Sequence, residues 1–554
     1  MNTTIRIGNT PLLTYKSYGM PTNYKFYTSV PAEYRHFYDH FVKEWFKWYD
    51  GYVDWFHDYN GDHGIFSTKI AKSIAHKFAK QITGGKLLFE AEDGYEKEKA
   101  RVTKALKEDN FDSKLQKGME WALAGGDSAL KLDVFKRGVP TFTVVRKDEY
   151  FHDEGFDGRV NKFSALLYSQ TDQVATGEGE TQEKHIFIME ERAYGQIDRE
   201  GNLIDASKRN MDDDYPIYRL SIKKGWGGSV QYRKGDFHSA DLPFNDLESS
   251  KRHELKRAFP EATFNKWTKL PLDNLGVFIL RASKGVSFMP SMAGGESIFH
   301  NAVHIFMSYD FYYSSKITDL YLGRASVMVP RHLEGPNEGQ SFYNTLSGLR
   351  YEKVPYMNDE NQTPTPIQFD LRAQSWTVIR NDLLQELATT LNLSPRTVAS
   401  YAVPAAEKPT AHEINVDQDD TALTVEHKRE INEGAINDAI DALCKYFEME
   451  AGNIRVKFSK MGLTNMSTMV NQMSILKQND MIDDRTALEY VFPDKTDKQI
   501  DKILENKKEE EKRRSKNNPK PKEDELKDRD KALYDNQATH TPKPNKGDDK
   551  VEKN

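Results

Sequence analysis

The chain has 554 residues, 29% of them charged, with a formal net charge of −7 from 78 basic and 85 acidic side chains. At roughly 150 residues per domain this allows about three or four structural units, and no global positive field draws the whole molecule to nucleic acid. Its single cysteine, Cys444, excludes a disulfide framework, a CxxC redox pair and a cysteine-based zinc site.

The N-terminal residues show no basic-then-apolar signal layout. The segment AEYRHFYDHFVKEWFKWYDGYVDW (33–56) places Phe37, Phe41, Trp45 and Trp48 at helical spacing, which predicts a packed helix rather than a base-stacking surface. A second helix is expected at 67–82 and a charged one at 93–124, ending in the small-residue turn AGGD. From about 138 to 290, short runs such as TFTVV, FSALLY, KHIFIME and GVFILRA alternate with turn residues and predict antiparallel β-structure. The polar stretches 171–184 and 234–254 read as exposed loops.

Helical signals return at 296. Ser297–Leu322 carries two adjacent stripes, Ile298, Ala302, Ile305, Tyr309, Tyr312 and Phe299, Val303, Phe306, Tyr313, Ile317, Leu320. A helix apolar over so much of its circumference needs neighbours on several sides. The same region, with His300, Asn301, His304, Ser308 and Asp310 inside it, is too short and too polar to span a bilayer, so the sequence predicts a soluble protein made in a reducing cytoplasm. After a Pro/Gly/Asn-rich stretch holding the strand candidate ASVMVP, a second amphipathic helix is expected at 371–391, with Trp376, Ile379, Leu383, Leu387 and Leu391 on one face and Asp370 as N-cap. Ser394-Pro395 stops it. A 15-residue segment then leads to the capping box Thr410-Ala-His-Glu413, which opens a helix expected to run to Ala451 with Gly452 as its stop. Ile440, Leu443 and Phe447 surround Cys444 at helical spacing, so the thiol reads as core. A helical cluster fills 464–506, and beyond 506 the charged, proline-containing composition predicts disorder.

Chemistry is conspicuous by what is missing. No GxxxxGK[ST], HExxH or GxSxG pattern occurs; GGKLLF (84–89) and KKGWGGS (223–229) have glycines without a phosphate-loop setting. Asp54, His57, Asp58, Asn60, Asp62 and His63 are the best metal candidates, yet they lack the calcium-loop order and its closing Glu, so a solvated turn is the default and neither metal nor cofactor is expected. No paired-carboxylate spacing singles out a two-metal nuclease site. The sequence predicts a structural or conduit role and no enzyme.

Four stretches carry a family likeness: WALAGGDSALKLDV (121–134), HIFIMEERAYG (185–195), GGESIFHNAV followed by MSYDFYYSSKITDLYLGRASVMVPRHL (294–333), and LNLSPRTV, KPTAHEI and ALTVEHKREI (391–431). Their order resembles the portal, or head-to-tail connector, proteins of tailed double-stranded DNA phages, closest to the type of long-tailed phages of Gram-positive hosts. The likeness spans about 30 to 505 and is clearest over 290–450. It implies an α+β ring subunit with these parts: a wing with N-terminal helices (1–295), stem helices (296–322 and 371–392) around a clip (323–370), a tunnel loop (393–410), a long wing helix (411–452), a crown (453–506) and a disordered tail (507–554).

By the same resemblance, the subunit interface involves Ile298, Ala302, Val303, Ile305, Phe306, Tyr309, Trp376, Ile379, Leu383 and Leu387. The DNA-facing loop involves Arg396, Thr397, Val398, Ala399, Ser400, Tyr401, Ala402 and Lys408. The implied partners are further copies of the chain in a ring, typically twelve; double-stranded DNA in the channel; the terminase packaging ATPase; major capsid and scaffolding proteins; and head-tail connector proteins, with no membrane. The implied location is the portal vertex of the virion after assembly in the host cytoplasm. Two other classes stay open on sequence alone: a metal-dependent nuclease or DNA-processing enzyme using Asp54–His63, and a capsid-associated scaffold without a channel.

Overall fold

A computed structural model describes residues 2–7, 10–16, 37–51, 53, 65–84, 87–92, 94–133, 140–155, 158–176, 180–208, 210–228, 238–247, 249–258, 263–289, 294–322, 326–330, 350–354, 365–367, 371–398, 411–458, 473–478, 482–492 and 497–517. The chain divides into two compact units, Met1–Leu463 and Thr464–Asn554. Both helices and sheets build it, so the fold is α+β.

The first unit begins with a hairpin, β1 (Asn2–Ile7) and β2 (Thr10–Lys16), which the sequence reading left unassigned. The aromatic segment then folds as a π-turn (Tyr38–Val42) running into α1 (Lys43–Asp50). Phe37, Trp45, Phe46, Trp48 and Tyr49 are all buried, so the aromatics are core, and their edge-on pairing, such as Phe37 against Trp45 at 5.8 Å, is the arrangement ring quadrupoles prefer. The second helix is α2 (Ile70–Thr83). The single helix expected at 93–124 is two, α3 (Glu96–Glu108) and α4 (Phe111–Gly125). Asn110, with φ +53°, breaks it, because asparagine tolerates the left-handed turn that ends one helix and starts the next.

Two sheets follow. β4 (Asp127–Asp133) lies between β5 (Thr141–Arg146) and β12 (Val277–Arg281), all antiparallel. A six-stranded antiparallel sheet has the order β10 (His238–Asp241), β9 (Tyr215–Gly228), β8 (Glu180–Gly195), β7 (Val160–Thr176), β6 (Tyr150–Glu154), with β11 (Thr268–Lys269) also on β9. The stretch 171–184, expected as a loop, is the far end of the β7–β8 hairpin, paired from Thr171–His185 to Thr176–Glu180. Its polar residues pair through their backbones, which hydropathy does not register. The stretch 234–254 likewise contains β10 and the start of α5 (Ser249–Ala258), whose Leu255 packs with Ile188, Ile222 and Leu247.

The two large sheets are joined by a buried latch. Arg192, fully buried, donates to Glu190 Oε1 at 2.6 Å, to Leu275 O at 2.8 Å and to Leu132 O at 3.1 Å. Lys131 on β4 also donates to Glu190. Every charge has a partner, the condition under which buried ions are tolerated.

α9 is the long helix, preceded by the elements described below, and runs from Ala411 to Tyr446. It stops before Gly452: Glu448 adopts φ +59° while Met449 N–H reaches Cys444 O at 2.9 Å and Glu448 N–H reaches Lys445 O at 2.9 Å, a left-handed closing turn. Its Asn432 closes the free edge of β12, accepting from Arg281 N–H at 2.7 Å and donating to Arg281 O at 2.9 Å. Its Arg429 donates to Ile82 O at 2.8 Å, satisfying a carbonyl at the end of α2. Cys444 is buried and burial pushes its thiol up to about 11. After α9, β16 (Ile454–Phe458) pairs with β3 (Leu87–Ala91), so these residues, placed in the crown by resemblance, belong to the first unit. Among the described residues no helix is long and apolar enough to cross a membrane.

The second unit contains a helical segment at 473–478, then α10 (Asp484–Val491) and α11 (Asp497–Asn517). Asp483 caps α10 by accepting from Thr486 N–H. α11 extends eleven residues into the stretch expected to be disordered. That stretch has no apolar face to pack, but its Lys, Glu and Arg are good helix formers and pair along the helix, as Arg513 does with Glu509. The remainder of the predicted tail, 518–554, lies outside the described residues.

Candidate functional site

The site is a pair of helices and the junction that fixes it to the body. α6 (Val303–Leu322) starts later than the expected Ser297, because residues 298–302 form tight turns in which Ala302 N–H bonds Phe299 O. α7 (Ala373–Thr390) matches the expected span within two residues, with Arg372 rather than Asp370 at its N-cap. Between them β13 (Ser326–Pro330) pairs parallel with β14 (Arg350–Val354) and antiparallel with β15 (Thr365–Ile367), a small sheet where the clip is expected.

The junction is built around two glycines. A Cβ on Gly295 would sit 2.2 Å from Gly126 O, and one on Gly126 would sit 2.1 Å from Gly295 O; only glycine at both positions lets the α4–β4 turn meet the approach to α6. Ser297 donates to Ala124 O at 2.6 Å and accepts from Phe299 N–H at 3.0 Å. Below it lies a wholly buried polar group. Asp127 accepts from Lys147 at 2.8 Å, from Gly295 N–H at 3.2 Å and from the Tyr150 hydroxyl. Burial alone would raise Asp127, but the Lys147 ammonium beside it holds its carboxyl below the usual range. Burial, reinforced by Lys147, pushes the neighbouring His152 down to about 3.

Along α6, Asp310 is buried and accepts from the N–H and hydroxyl of Thr68 at 2.9 and 2.6 Å, while Ser314 accepts from Phe66 N–H at 2.8 Å. The segment 65–69, outside any helix or strand, is thus strapped along the helix. Burial raises the Asp310 carboxyl above its ordinary value. At the far end, Asp319 accepts from Arg372 at 2.8 Å and from Trp376 Nε1 at 2.8 Å, and Trp376 meets Tyr312 edge-on at 5.7 Å. The Arg372 hydrogen bond holds Asp319 below the usual carboxylate range. This clasp ties the two helices together.

The structure divides the expected interface residues into two groups. Ala302, Ile305, Phe306 and Leu387 are buried within one copy of the chain at 1% exposure or less, with Phe306 against Trp48; they are core, not an available surface. Ile298, Val303, Tyr309, Trp376 and Leu383 are half-buried, and Ile379 is 41% exposed. Large apolar residues that do face solvent concentrate on this pair: Met307, Phe311, Tyr313 and Leu320 on α6, and Leu371, Val378 and Ile379 on or just before α7. At 100° per residue, Met307 and Phe311 lie on one side of α6, and Tyr313 and Leu320 on roughly the opposite side. Sequence reading missed Met307, Phe311 and Val378, which fall off the regular stripes; their apolar character at positions the core does not use was the available signal.

In the expected tunnel loop, Pro395–Val398 forms one helical turn, α8, whose base is held by Ser394 N–H donating to Thr421 Oγ1 at 2.7 Å. Val398, expected in the DNA-facing loop, is buried within the single chain. Ala399, Ser400, Tyr401, Ala402 and Lys408 lie outside the described residues, as do the side chains of Arg396 and Thr397. The Asp54–His63 candidates also lie outside them. Among the described residues no His/Cys/Asp/Glu group could hold a metal ion.

A helix pair carrying exposed apolar residues, a small sheet between its helices, and a β-rich body are the parts expected of a phage portal subunit. Residues 210–513 match the family described as phage portal protein, SPP1 Gp6-like, and the chain belongs to that family. It is therefore a portal-type structural component of a phage virion. No curated protein matches the sequence. Among solved structures, the virion of a native gene transfer agent particle is similar at 10% identity and TM-score 0.38, covering 77% of this chain and 90% of that one. The neck of the native particle, computed with C12 symmetry, is similar at 9% identity and TM-score 0.37, covering 76% and 89%. The neck of the empty particle, computed with C6 symmetry, gives 10% and 0.37 with the same coverage.

Proposed function

We propose that copies of this chain close into a ring whose channel carries double-stranded DNA during packaging and ejection, with α6 and α7 as the stem and 395–409 as the tunnel loop. The observation that carries this reading is the two-sided exposure of apolar residues on α6. A surface patch on one side would suit a two-fold dimer, which pairs like with like. Patches on opposite sides suit a head-to-tail contact repeated until it closes. The exposed residues of the pair, divided between its sides, present on the order of 500 Å² of apolar surface, within the size range at which exposed patches are often functional.

The rest of the reading follows from family membership and from the missing phosphate loop. With no nucleotide-binding motif, the ring does not drive translocation; a terminase ATPase docks on it, with the small β13–β15 sheet as the docking end, and head-tail connectors replace it later. Capsid and scaffolding proteins contact the body, and assembly takes place in the host cytoplasm. The tunnel-loop residues Thr397, Ala399, Ser400, Tyr401 and Ala402 are small or weakly polar, which suits a sliding contact, since strong phosphate clamping would hold DNA in place. A twelve-fold ring is the expected symmetry.

The test is Met307→Asp with Val378→Asp. Both positions are exposed in the single chain, at 38% and 58%, so the charges leave its fold intact but are buried unpaired in a ring. Analytical ultracentrifugation and negative-stain images should show folded, unassembled protein where wild type gives rings. Rings formed equally well by the double variant would remove α6 and α7 from the interface.

A further inference from the structure

α2 contains no acidic residue, and together with the preceding Lys69 it carries Lys69, Lys72, His76, Lys77 and Lys80. Its apolar residues Ala71, Ile74, Ala75, Phe78, Ala79 and Ile82 are all buried, which fixes its rotation and leaves Lys69, Lys72, Ser73, His76 and Lys80 facing outward. Lys72, His76 and Lys80 are four residues apart, so they form a row at about 6 Å intervals. α4 adds a further cation: the ammonium groups of Lys72 and Lys117 lie 5.4 and 5.7 Å from the centre of the Tyr49 ring. Glu120 reaches this row from below, but it is buried and already engaged by Tyr49, His76 and Lys117. Lys72 and Lys80 have no carboxylate partner among the described residues.

We propose that this face of α2 binds the phosphate backbone of a nucleic-acid duplex, at a site separate from the helix pair and from the 395–409 segment. A basic row on a chain of net charge −7 points to a local polyanionic partner, because the molecule as a whole repels one. The row's character selects nucleic acid over a folded protein. Protein interfaces are built around an apolar and aromatic centre and are depleted in lysine, whereas no large exposed hydrophobic residue occurs on α2 or α4. Phosphate contacts come from lysine and small hydroxyl side chains and carry no sequence information. The outward row has no Arg, Asn or Gln to read base edges, so binding is independent of sequence.

The experiment uses the full-length protein as purified, with two unrelated 30-base-pair DNA duplexes, by fluorescence anisotropy between 50 and 300 mM salt. Wild type should bind both duplexes equally, with affinity falling steeply as salt rises. Lys72→Gln with Lys80→Gln should weaken both at least tenfold at low salt and reduce the log–log salt slope by about 1.8 for each subunit engaged. Unchanged affinity and slope in that double variant overturn the proposal. So does loss of binding confined to Arg396→Gln with Lys408→Gln, which would place the contact in the tunnel segment. Retained duplex binding combined with lost capture of a poly-glutamate peptide would assign the face to an acidic protein segment, and also overturns it. Negative-stain images of the same samples report ring formation independently, so failure of the ring reading is told apart from failure of this one.

Discussion

His152 makes the body of the protein sensitive to acid in a way that can be isolated from its other titrating groups. Its ring is fully buried in the junction beneath the helix pair, next to Lys147 and Asp127. The folded protein therefore keeps it neutral down to about pH 3, while an exposed histidine in the unfolded chain takes a proton near pH 6.5. Below pH 6.5 the unfolded state binds a proton that the folded state does not, so stability falls as pH falls, and the loss is complete only near pH 3. One pH unit is worth about 1.4 kcal/mol, and because the unfolded histidine is already half-protonated at pH 6.5, this group alone removes roughly 2 kcal/mol between pH 6.5 and 4.5. A unit the length of Met1–Leu463 unfolds with an entropy near 1 kcal/mol per degree, so the effect is about 2 °C in Tm. Other groups titrate in the same range, and the comparison with His152→Gln removes them. Thermal unfolding of both proteins from pH 6.5 to 4.5 should show wild type losing about 2 °C more than the variant, whatever the variant's stability at neutral pH. Parallel profiles would mean that His152 is not held neutral, and that the junction is open to water.

Two further outcomes concern the same region. Gly295→Ala should destabilise the body by about 1–3 kcal/mol, the range for overpacking, because the obstacle is the Gly126 carbonyl rather than a movable side chain; Gly285→Ala, whose Cβ would meet nothing within 4 Å, is the control, and equal melting temperatures would refute the close approach. Asp319→Asn should loosen the clasp between α6 and α7 and raise hydrogen exchange in the first turns of α7 without unfolding the body. Because Arg372 lowers Asp319, wild type should show the same loosening only as pH falls through the depressed value below 4, and unchanged exchange in the variant would count against the clasp.

What was legible in the sequence was periodicity. The helices expected at 297–322 and 371–391, the antiparallel texture between 138 and 290, and the core position of Cys444 follow from spacings that the structure keeps. What was not legible depends on partners distant in sequence. The β7–β8 hairpin pairs polar residues through their main chains, and nothing in Thr171–Glu180 advertises it. β16 belongs with β3 because Ile454 finds Ala91, more than 350 residues away. The break at Asn110 turns on one left-handed residue. The candidate interface was the hardest case, since an apolar stripe marks burial without saying whether the same chain or a second copy supplies the cover. Ile305 and Phe306 are covered by the chain itself; Met307, one residue further, is not.

That alternation gives one helix two kinds of surface, one covered by its own chain and one not. The N-terminal half of α6 is anchored by Phe299, Ala302, Ile305 and Phe306 in the main core, by the glycine junction, and by the strap through Asp310 and Ser314. These contacts fix the helix direction in a single chain, before any assembly. Beyond Ser314, among the described residues, its long-range side-chain ties are those of the Asp319 clasp to α7; Met307, Phe311 and Tyr313 before that point and Leu320 after it are exposed. α7 mirrors this: Leu384, Leu387 and Ala388 are buried at its C-terminal end, while Leu371, Val378 and Ile379 are exposed toward its start. The pair is therefore rooted in the body by part of its apolar surface and leaves the rest, Met307 and Phe311 included, uncovered. In the ring proposed above, a helix pair rooted in this way would lose little further conformational freedom on docking, so its modest apolar area would be used for association rather than for ordering. The body would set the orientation of each contact, and a contact of fixed orientation repeated head to tail is what allows a ring to close.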